Sequence, residues 1–141
     1  MAEDGNDFAR SMGIATSGLR AQAGRMRVIS ENIANADSTG QTAGGDSYRR
    51  KIPTFTSELD RTLDARVVTL GRVRPDASAF RVRYEPNNPA ADAAGNVKYP
   101  NVNSVVEMTD MRQAQRSYEA NLNIISATRR MIQRTLDILK A

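Results

Sequence analysis

Apolar residues near the N-terminus recur at alternating intervals of four and three positions. The series is Phe8, Met12, Ala15, Leu19, Gln22, Met26, Ile29 and Ile33, in which Gln22 is the one polar member. This spacing is that of a heptad seam on an amphipathic helix. It predicts a helix over 8–35, roughly 40 Å long at 1.5 Å per residue.

Three glycines, Gly13, Gly18 and Gly24, fall inside this predicted helix. Each costs a helix interior about 1 kcal/mol relative to alanine. The isolated helix is therefore expected to be weak, and its stability must come from a partner.

A longer heptad pattern occupies the C-terminal part of the chain, over 101–141. Its members are Met108, Met111, Gln115, Tyr118, Leu122, Ile125, Arg129, Ile132, Leu136 and Leu139. No proline or glycine follows Pro100, so nothing interrupts a helix there. The second helix, roughly 55 Å long over 103–140, is expected to outreach the first.

Between the two helices the apolar period changes to two. Phe80, Val82 and Tyr84 alternate with charged residues, which predicts a half-buried strand. Residues 67–73 suggest a strand opposite it, residues 48–55 a short edge strand limited by Pro53, and residues 97–99 a strand that pairs back. We therefore predict a small β region over 48–100, a flexible connector over 36–47 and an acidic N-terminal tail over 1–7.

Neither helix can bury its apolar stripe alone. The simplest fold is α with a small β insertion, in which the long N- and C-terminal helices pair as an antiparallel coiled coil. The overhanging part of the longer helix then exposes an apolar stripe, which in a protein surface marks an interface. Because a stripe that meets a different surface on the next copy forms a ring or a helical filament, the pattern indicates an assembly subunit.

Composition removes most catalytic chemistry. The 141-residue chain contains no Cys and no His, so thiol nucleophiles, disulfides and the commonest proton-transfer side chain and metal ligand are missing. No glycine-rich phosphate loop, nucleophile elbow or metal motif is present. We expect no enzyme activity, no catalytic residue, no cofactor and no metal.

Two alternatives to an assembly subunit, each from a different class of protein, remain open. The formal net charge is +4, and residues 48–83 contain nine Arg or Lys against four acidic residues, which is compatible with a basic nucleic-acid-binding module. A coiled-coil adaptor or export chaperone is the other alternative. Nucleic-acid binding would weaken steeply with salt, and a chaperone would be a stable helical dimer on its own.

The membrane is not an expected partner. No apolar run of 18 residues occurs, and the first ten residues, MAEDGNDFAR, are acidic rather than basic and apolar. Direct membrane insertion and a cleaved secretory signal are therefore not expected.

The segment VISENIANADSTG, residues 28–40, concentrates short polar side chains at the end of the first helix. Asn32, Asn35 and Asp37 could bind a ligand, but these residue types are also what a helix end requires, since they bond local backbone. We interpret the segment as a joint in which Asn32 and Asn35 tie the helix end to neighbouring backbone.

The same run resembles the S-x-N-[IL]-A-N signature of the bacterial flagellar rod and hook axial protein family. The matching residues are Ser30, Asn32, Ala34 and Asn35, followed by Asp37 and Thr39. Three further stretches narrow the resemblance to the proximal-rod members: YRRK at 48–51, YEPNNPAADAAGNVKYPNVN at 84–103 and VEMTDMRQAQRSYEANLNI at 106–124. These stretches are distributed along the chain from residue 30 to residue 124.

This resemblance implies a structural subunit of the periplasmic rod that polymerises helically into a hollow, torque-transmitting drive shaft and export channel. It implies export through the flagellar type III apparatus without a cleaved signal. The implied partners are further copies of itself, other proximal-rod proteins, the rod-to-membrane-ring adaptor and the distal rod protein. The expected assembly interface is Met12, Ala15, Leu19, Met26, Ile29, Ile33, Met108, Met111, Tyr118, Leu122, Ile125, Ile132, Leu136 and Leu139.

Overall fold

The computed structural model describes residues 2–141, with side chains described from residue 6 onward, so Met1 and the first side chains of the predicted acidic tail lie outside the described residues. In chain order the elements are α1 (Ala2–Ala34), β1 (Lys51–Ile52), β2 (Phe55–Asp60), β3 (Ala65–Leu70), β4 (Arg74–Pro75), β5 (Arg81–Tyr84), β6 (Asn96–Tyr99) and α2 (Ser104–Lys140). Two long terminal helices with a small antiparallel β region between them confirm that part of the predicted fold.

The helices end where the sequence supplies capping groups. Asn103 Oδ1 accepts hydrogen bonds from the backbone N–H groups of Val105 at 3.1 Å and Val106 at 3.4 Å, which caps the start of α2. At the end of α1, the N–H of Asn35 bonds the carbonyl of Glu31 at 3.1 Å. The Asn103 side chain and the Asn35 N–H thus satisfy backbone groups that a helix end otherwise leaves unpaired.

The chain divides into two compact units, each of which contains parts of both helices. The helix unit comprises α1 up to Met26, residues 54–72 and residues 113–141. The junction unit comprises residues 27–53 and 73–112.

The helix unit contains the hairpin of β2 and β3, in antiparallel register from Phe55↔Leu70 to Asp60↔Ala65. Its turn is held by Asp60, whose Oδ1 accepts hydrogen bonds from Thr62 N at 2.8 Å and Leu63 N at 3.2 Å. Such side-chain bonds to following backbone are what make aspartate a turn residue.

The junction unit contains two short antiparallel pairs. β1 pairs with β4, and β5 pairs with β6 in register from Arg81↔Tyr99 to Tyr84↔Asn96. The turn before β6 uses Asp92, whose Oδ1 accepts from Asn96 N at 2.9 Å, and Gly95, which has a φ of 82°. Ala90, Val97 and Tyr99 form the buried cluster under this turn.

The β region differs from the prediction in two respects. Residues 67–73 were expected opposite the strand around Val82, but β3 pairs with β2, and β5 pairs with β6. The face of Val82 and Tyr84 was expected to be half-buried, but these side chains are 60% and 72% exposed. A two-stranded pair has no second layer to cover both faces, so the buried side is supplied by β6 instead. The predicted return of residues 97–99 is confirmed.

The connector predicted over 36–47 forms hydrogen bonds at both of its ends. Ser47 Oγ donates to the carbonyl of Ser38 at 2.7 Å, and Gly44 N donates to the carbonyl of Ala90 at 3.1 Å. Ala36 and Ser47 are buried. Its flexibility remains a prediction.

Candidate assembly site

A buried asparagine organises the junction unit. Asn32, in the last turns of α1, is fully buried and uses both ends of its amide. Its Nδ2 donates to the carbonyl of Lys51 at 2.8 Å and to Glu107 Oε2 at 3.1 Å, while its Oδ1 accepts from the N–H of Lys51 at 2.9 Å. The predicted tie between Asn32 and neighbouring backbone is confirmed, and it fixes β1 against the end of α1.

A buried carboxylate lies beside this asparagine. Glu107, in the first turn of α2, is fully buried and receives a hydrogen bond from Arg50 Nε. Arg50 also lies 3.7 Å from carboxylate oxygens of Asp76 and Asp110. Because an unpaired buried charge is costly, Arg50 and Asn32 together make the burial of Glu107 tolerable. One network thus joins the end of α1, β1 and the start of α2 within the junction unit.

Tyr48 completes the network. Its hydroxyl donates to Asn32 Oδ1 at 2.9 Å. Burial, with the nearby carboxylates of Glu31 and Glu107, raises the pKa of Tyr48 to about 12. Lys51 Nζ pairs with Glu31 above the same site. The phenol therefore keeps its proton, and with it the hydrogen bond to Asn32, beyond the pH at which an ordinary tyrosine ionises.

The remaining signature residues lie at the surface or in the turn. Asn35 Nδ2 donates to the carbonyl of Glu31 at 2.8 Å, as predicted for a helix-end residue. Ser30 and Ala34 are exposed, and Thr39 is half-buried. Asp37 is exposed, with its carboxylate 4.0 Å from Arg81. Only Asn32 of this set belongs to the buried network.

The predicted seam of α1 is partly enclosed along its length. Ala15 and Ile29 are buried, at 3% and 2% exposure. Met12, Leu19, Met26 and Ile33 are half-buried. Their role at an interface between copies is a prediction.

The glycines of α1 are sites of close packing in the helix unit. A Cβ atom at Gly13 would lie 2.3 Å from Leu63 Cδ1, and one at Gly24 would lie 2.8 Å from Leu70 Cδ2. Both leucines belong to the hairpin segment, whose Val68 N–H also bonds Ser17 Oγ at 3.2 Å. Absence of side chains at these positions lets the hairpin approach the helix backbone.

Gly18 serves α2 in the same way, because a Cβ atom there would lie 2.7 Å from Asn121 Nδ2. Further along, Arg25 donates to Gln113 Oε1 at 3.1 Å. The two helices of the helix unit therefore meet through small and polar residues. Sequence reasoning treated the glycines only as a cost to the helix and missed this packing role.

The side of α2 that is enclosed differs by one position from the predicted seam. Met111, Tyr118, Ile125 and Ile132 are half-buried, but Met108 and Leu122 are 52% and 46% exposed, as are Leu136 at 45% and Leu139 at 62%. Glu107, Ala114 and Thr128 are buried instead, at 0%, 0% and 2%. These three lie at intervals of seven and fourteen residues, and Asn121 occupies the intervening position of the same series.

Large apolar side chains also remain uncovered along a separate line of α2. We call this line the outer face of α2: Ile124, Met131 and Ile138. Their exposed fractions range from 46% at Ile124 to 75% at Ile138. Ile124, Met131 and Ile138 follow one another every seven residues, so they form a line along the helix.

Neither a metal site nor a membrane-spanning helix is found in the described residues. Within this part of the chain no group of three or more acidic side chains is placed to hold a metal ion. None of the described helices is sufficiently long and apolar to cross a membrane.

Two stretches of the chain match models of known families. Residues 12–40 match the model described as flagella basal body rod protein, and residues 93–138 match the flagellar basal body rod FlgEFG protein C-terminal model. The first match covers most of α1 with the exit segment, and the second covers β6 and nearly all of α2. The terminal helices are therefore those of a flagellar rod protein.

Comparison over the whole chain narrows this class. The chain is 53% identical over 128 residues to flagellar basal-body rod protein FlgC of Agrobacterium fabrum (strain C58 / ATCC 33970), covering 91% of this chain and 92% of the relative. It is 35% identical over 134 residues to FlgC of Aquifex aeolicus (95% and 98% covered) and 39% identical over 126 residues to FlgC of Salmonella typhimurium (89% and 92% covered). The chain belongs to the FlgC family of flagellar basal-body rod proteins. It is a structural rod protein and not an enzyme, and neither a nucleic-acid-binding module nor a chaperone is supported.

Proposed function

We propose that this chain is a subunit of the proximal flagellar rod that polymerises helically through its terminal helices into a hollow shaft. The shaft transmits torque and surrounds the channel through which later subunits are exported. The observation that carries this proposal is the outer face of α2, whose aliphatic side chains are uncovered in the single chain. A line of exposed apolar residues on a protein surface indicates an interface that a partner covers.

In this proposal one side of α2 packs within its own chain, and the outer face contacts the neighbouring copy. The side with Ala114 and Thr128 is buried within the chain, whereas Ile124 and Ile138 on the outer face are 46% and 75% exposed. A neighbouring copy that covers the outer face with a different surface of its own makes a heterologous contact. Repetition of such a contact builds a helical filament rather than a closed dimer.

Antiparallel pairing of the terminal helices is part of the proposal. In the helix unit, residue 18 of α1 meets residue 121 of α2, and residue 25 meets residue 113. Numbers that rise on one helix while they fall on the other are those of an antiparallel pair. In the junction unit, residue 32 likewise meets residue 107. We infer that residues 8–35 and 101–141 form the inner rod domain and residues 48–100 the small outer β region.

We further propose that the assembly interface includes the seam residues expected from the sequence together with the outer face of α2. Partners would be further copies, other proximal-rod proteins, the rod-to-membrane-ring adaptor, the distal rod protein and, during delivery, the type III export apparatus. The location would be the periplasmic rod, reached without cleavage of a signal. Family membership and the exposed apolar face support these assignments.

A pair of neighbouring substitutions tests the outer face. Ile124→Asp places a carboxylate in the proposed interface, while Asn123→Asp introduces the same group at an adjacent exposed position. We expect Ile124→Asp to lower the number of rods in purified basal bodies at least tenfold, since a buried unpaired charge costs several kcal/mol. Asn123→Asp should leave assembly near the wild-type level. Normal rod numbers with Ile124→Asp would refute the interface.

The state of the free chain gives a second test. The outer face is exposed to solvent in the free chain, and three glycines weaken α1. The dilute chain should therefore be monomeric, and its helical content should be lower than that of the assembled subunit. Circular dichroism and light scattering on the purified chain measure both properties. A stable, fully helical dimer would contradict the proposal.

A further inference from the structure

A basic groove in the junction unit has no role in the function described so far. It has a volume of about 590 Å³ and lies between the end of α1, the segment before β1 and the segment around β4. Four of the residues that line it are basic, namely Arg27, Arg49, Lys51 and Arg74. We call this feature the basic groove.

Most of this positive charge is uncompensated. The single acidic residue in the groove, Glu31, is paired with Lys51. Arg49 stacks on the Phe80 ring, 4.2 Å from its centroid, and donates to the neutral carbonyls of Asp76 at 3.4 Å and Ser78 at 3.3 Å. Its charge also acts on the nearby Asp46 carboxylate, which lies outside the groove. Arg27 and Arg74 are exposed. Four positive charges less one negative charge leave a net charge of +3 in the groove.

The surface between these charges is apolar. Val28 on α1 is buried, and on the opposite side lie Val73, which precedes β4, and Pro75, the second residue of β4. Tyr48 adds its ring, with Lys51 Nζ 5.8 Å from the ring centroid. A concave surface with an apolar floor and a cationic rim fits an extended or helical peptide that carries carboxylates.

The chain itself contains one segment of that chemistry. Residues 1–8, MAEDGNDF, carry Glu3, Asp4 and Asp7 with no basic residue and end in a phenylalanine. The Asp7 side chain is 73% exposed, and Arg10, which lies 3.8 Å from it, also donates to Asp64 at 2.9 Å. Three negative charges in this segment match the net charge of the basic groove.

We propose that the basic groove binds the acidic N-terminal segment of a second copy of this chain. The proposal rests on the assembly function above, since it names one of the heterologous contacts that a helical stack requires. It also gives a role to two features that the rod assignment leaves unexplained, the acidic start and the basic middle of the sequence. Charge matching of this kind sets register and partner choice more than raw affinity.

A labelled, N-terminally acetylated peptide of residues 1–8 measures this contact directly. The receptor is the full chain with Glu3→Gln, Asp4→Asn and Asp7→Asn, so that its own N-termini do not compete. Fluorescence anisotropy should report binding that weakens as salt is raised, because exposed charges are screened over about 10 Å at 0.1 M ionic strength. A peptide with the same three acids neutralised should bind about tenfold more weakly.

Matched receptor variants locate the site. Arg27→Glu with Arg74→Glu reverses the groove and should weaken peptide binding at least tenfold. Arg61→Glu with Arg130→Glu changes the net charge equally at exposed positions outside the groove and should leave binding unchanged. If the groove reversal fails to fold by circular dichroism, Arg27→Gln with Arg74→Gln provides the milder comparison. Equal loss in both pairs, or no peptide binding at all, would overturn the proposal.

Two further outcomes would also overturn it. Binding of phosphatidylserine vesicles at the groove that the peptide cannot displace would make the groove a lipid site. Tail neutralisation that lowers only the helicity of α1 would show that the acids serve the helix dipole alone. Failure of the peptide to bind, with the chain still present in purified basal bodies, would remove this contact and leave the rod function intact. Absence of the wild-type chain from basal bodies would instead refute the rod function.

Discussion

Asn32 Nδ2 lies 3.1 Å from Glu107 Oε2, and both residues are fully buried although 75 positions separate them in the sequence. The hydrogen bond joins the last turns of α1 to the first turn of α2, where Arg50 supplies the balancing charge. A buried carboxylate of this kind is stable only while all of its partners are in place. The network therefore makes the ends of the two helices and β1 depend on one another.

The first prediction concerns Asn32→Leu. This change leaves the N–H and carbonyl of Lys51 without their side-chain partner and removes a donor from Glu107, so it should lower the free energy of unfolding by about 3 kcal/mol. Asn35→Leu loses a single bond to the Glu31 carbonyl and should cost about 1 kcal/mol. Urea unfolding followed by tyrosine fluorescence gives both values.

Asn35→Leu should also impair rod assembly while expression stays normal, because the helix end loses its tie. Equal destabilisation by the two variants would mean that Asn32 is only another helix-end residue.

The second prediction concerns the pair Arg50 and Glu107. Arg50→Met leaves the Glu107 carboxylate buried without its cation and should destabilise the junction unit by about 3–5 kcal/mol. Combination with Glu107→Met should recover part of this loss, since the charge that needed compensation is gone. The exposed Arg112→Met serves as control and should change stability by less than about 0.5 kcal/mol. Strict additivity of the two single changes would argue against a coupled pair.

The third prediction concerns pH and Tyr48. Its pKa is raised from 10.0 to about 12 in the folded chain, so the folded state holds the proton more tightly than the unfolded state. The stabilisation is complete below pH 10 and is lost as the pH rises toward 12. The hydrogen bond to Glu85 also raises the pKa of Tyr99, so absorbance titration at alkaline pH should show more than one late-ionising tyrosine, of which one disappears in Tyr48→Phe. Loss of stability between pH 10 and 12 should be smaller in that variant, and an unchanged titration would contradict the assignment.

The fourth prediction concerns Gly13. Alanine at this position gains about 1 kcal/mol of helix propensity. It also forces the flexible Leu63 side chain, whose Cδ1 would lie 2.3 Å from the new Cβ atom, to move away from the helix, and the disturbed packing costs about 1–3 kcal/mol. Gly13→Ala should therefore reduce motility, measured as swarm diameter, and Leu63→Ala in the same chain should restore part of it. Ala23→Gly, at an exposed site on α1, measures the propensity effect alone. Improved motility with Gly13→Ala would show that the close contact is unimportant.

The sequence predicted the two long helices well because heptad spacing over many turns, with no proline or glycine after Pro100, leaves few alternatives. It also predicted that Asn32 and Asn35 bond backbone, since short polar side chains at a helix end do so. Only the partner of Asn35, the Glu31 carbonyl, is local, whereas Asn32 bonds Lys51, 19 positions away. Glu107 could not be found in this way. An acidic residue in a first turn normally faces water, and its burial depends on Arg50, which is 57 positions away.

The sequence also could not predict which side of α2 is buried. Two heptad series offset by one position share Met111, Tyr118, Ile125 and Ile132, and successive residues on a helix differ by only about 100° in direction. Hydrophobicity favoured the series with Met108 and Leu122. The structure encloses the series with Ala114 and Thr128, whose smaller side chains allow a close approach where α1 carries Gly18.

By itself the sequence determined the elements of this protein, the lack of Cys and His chemistry, and the need of its apolar stripes for partners, because these follow from local spacing and composition. Only the tertiary structure decided which hairpin fills the glycine gaps of α1, which carboxylate is buried, and which face of α2 remains open. Those features depend on shapes and charges that come together from distant parts of the chain, and a one-dimensional pattern does not record them.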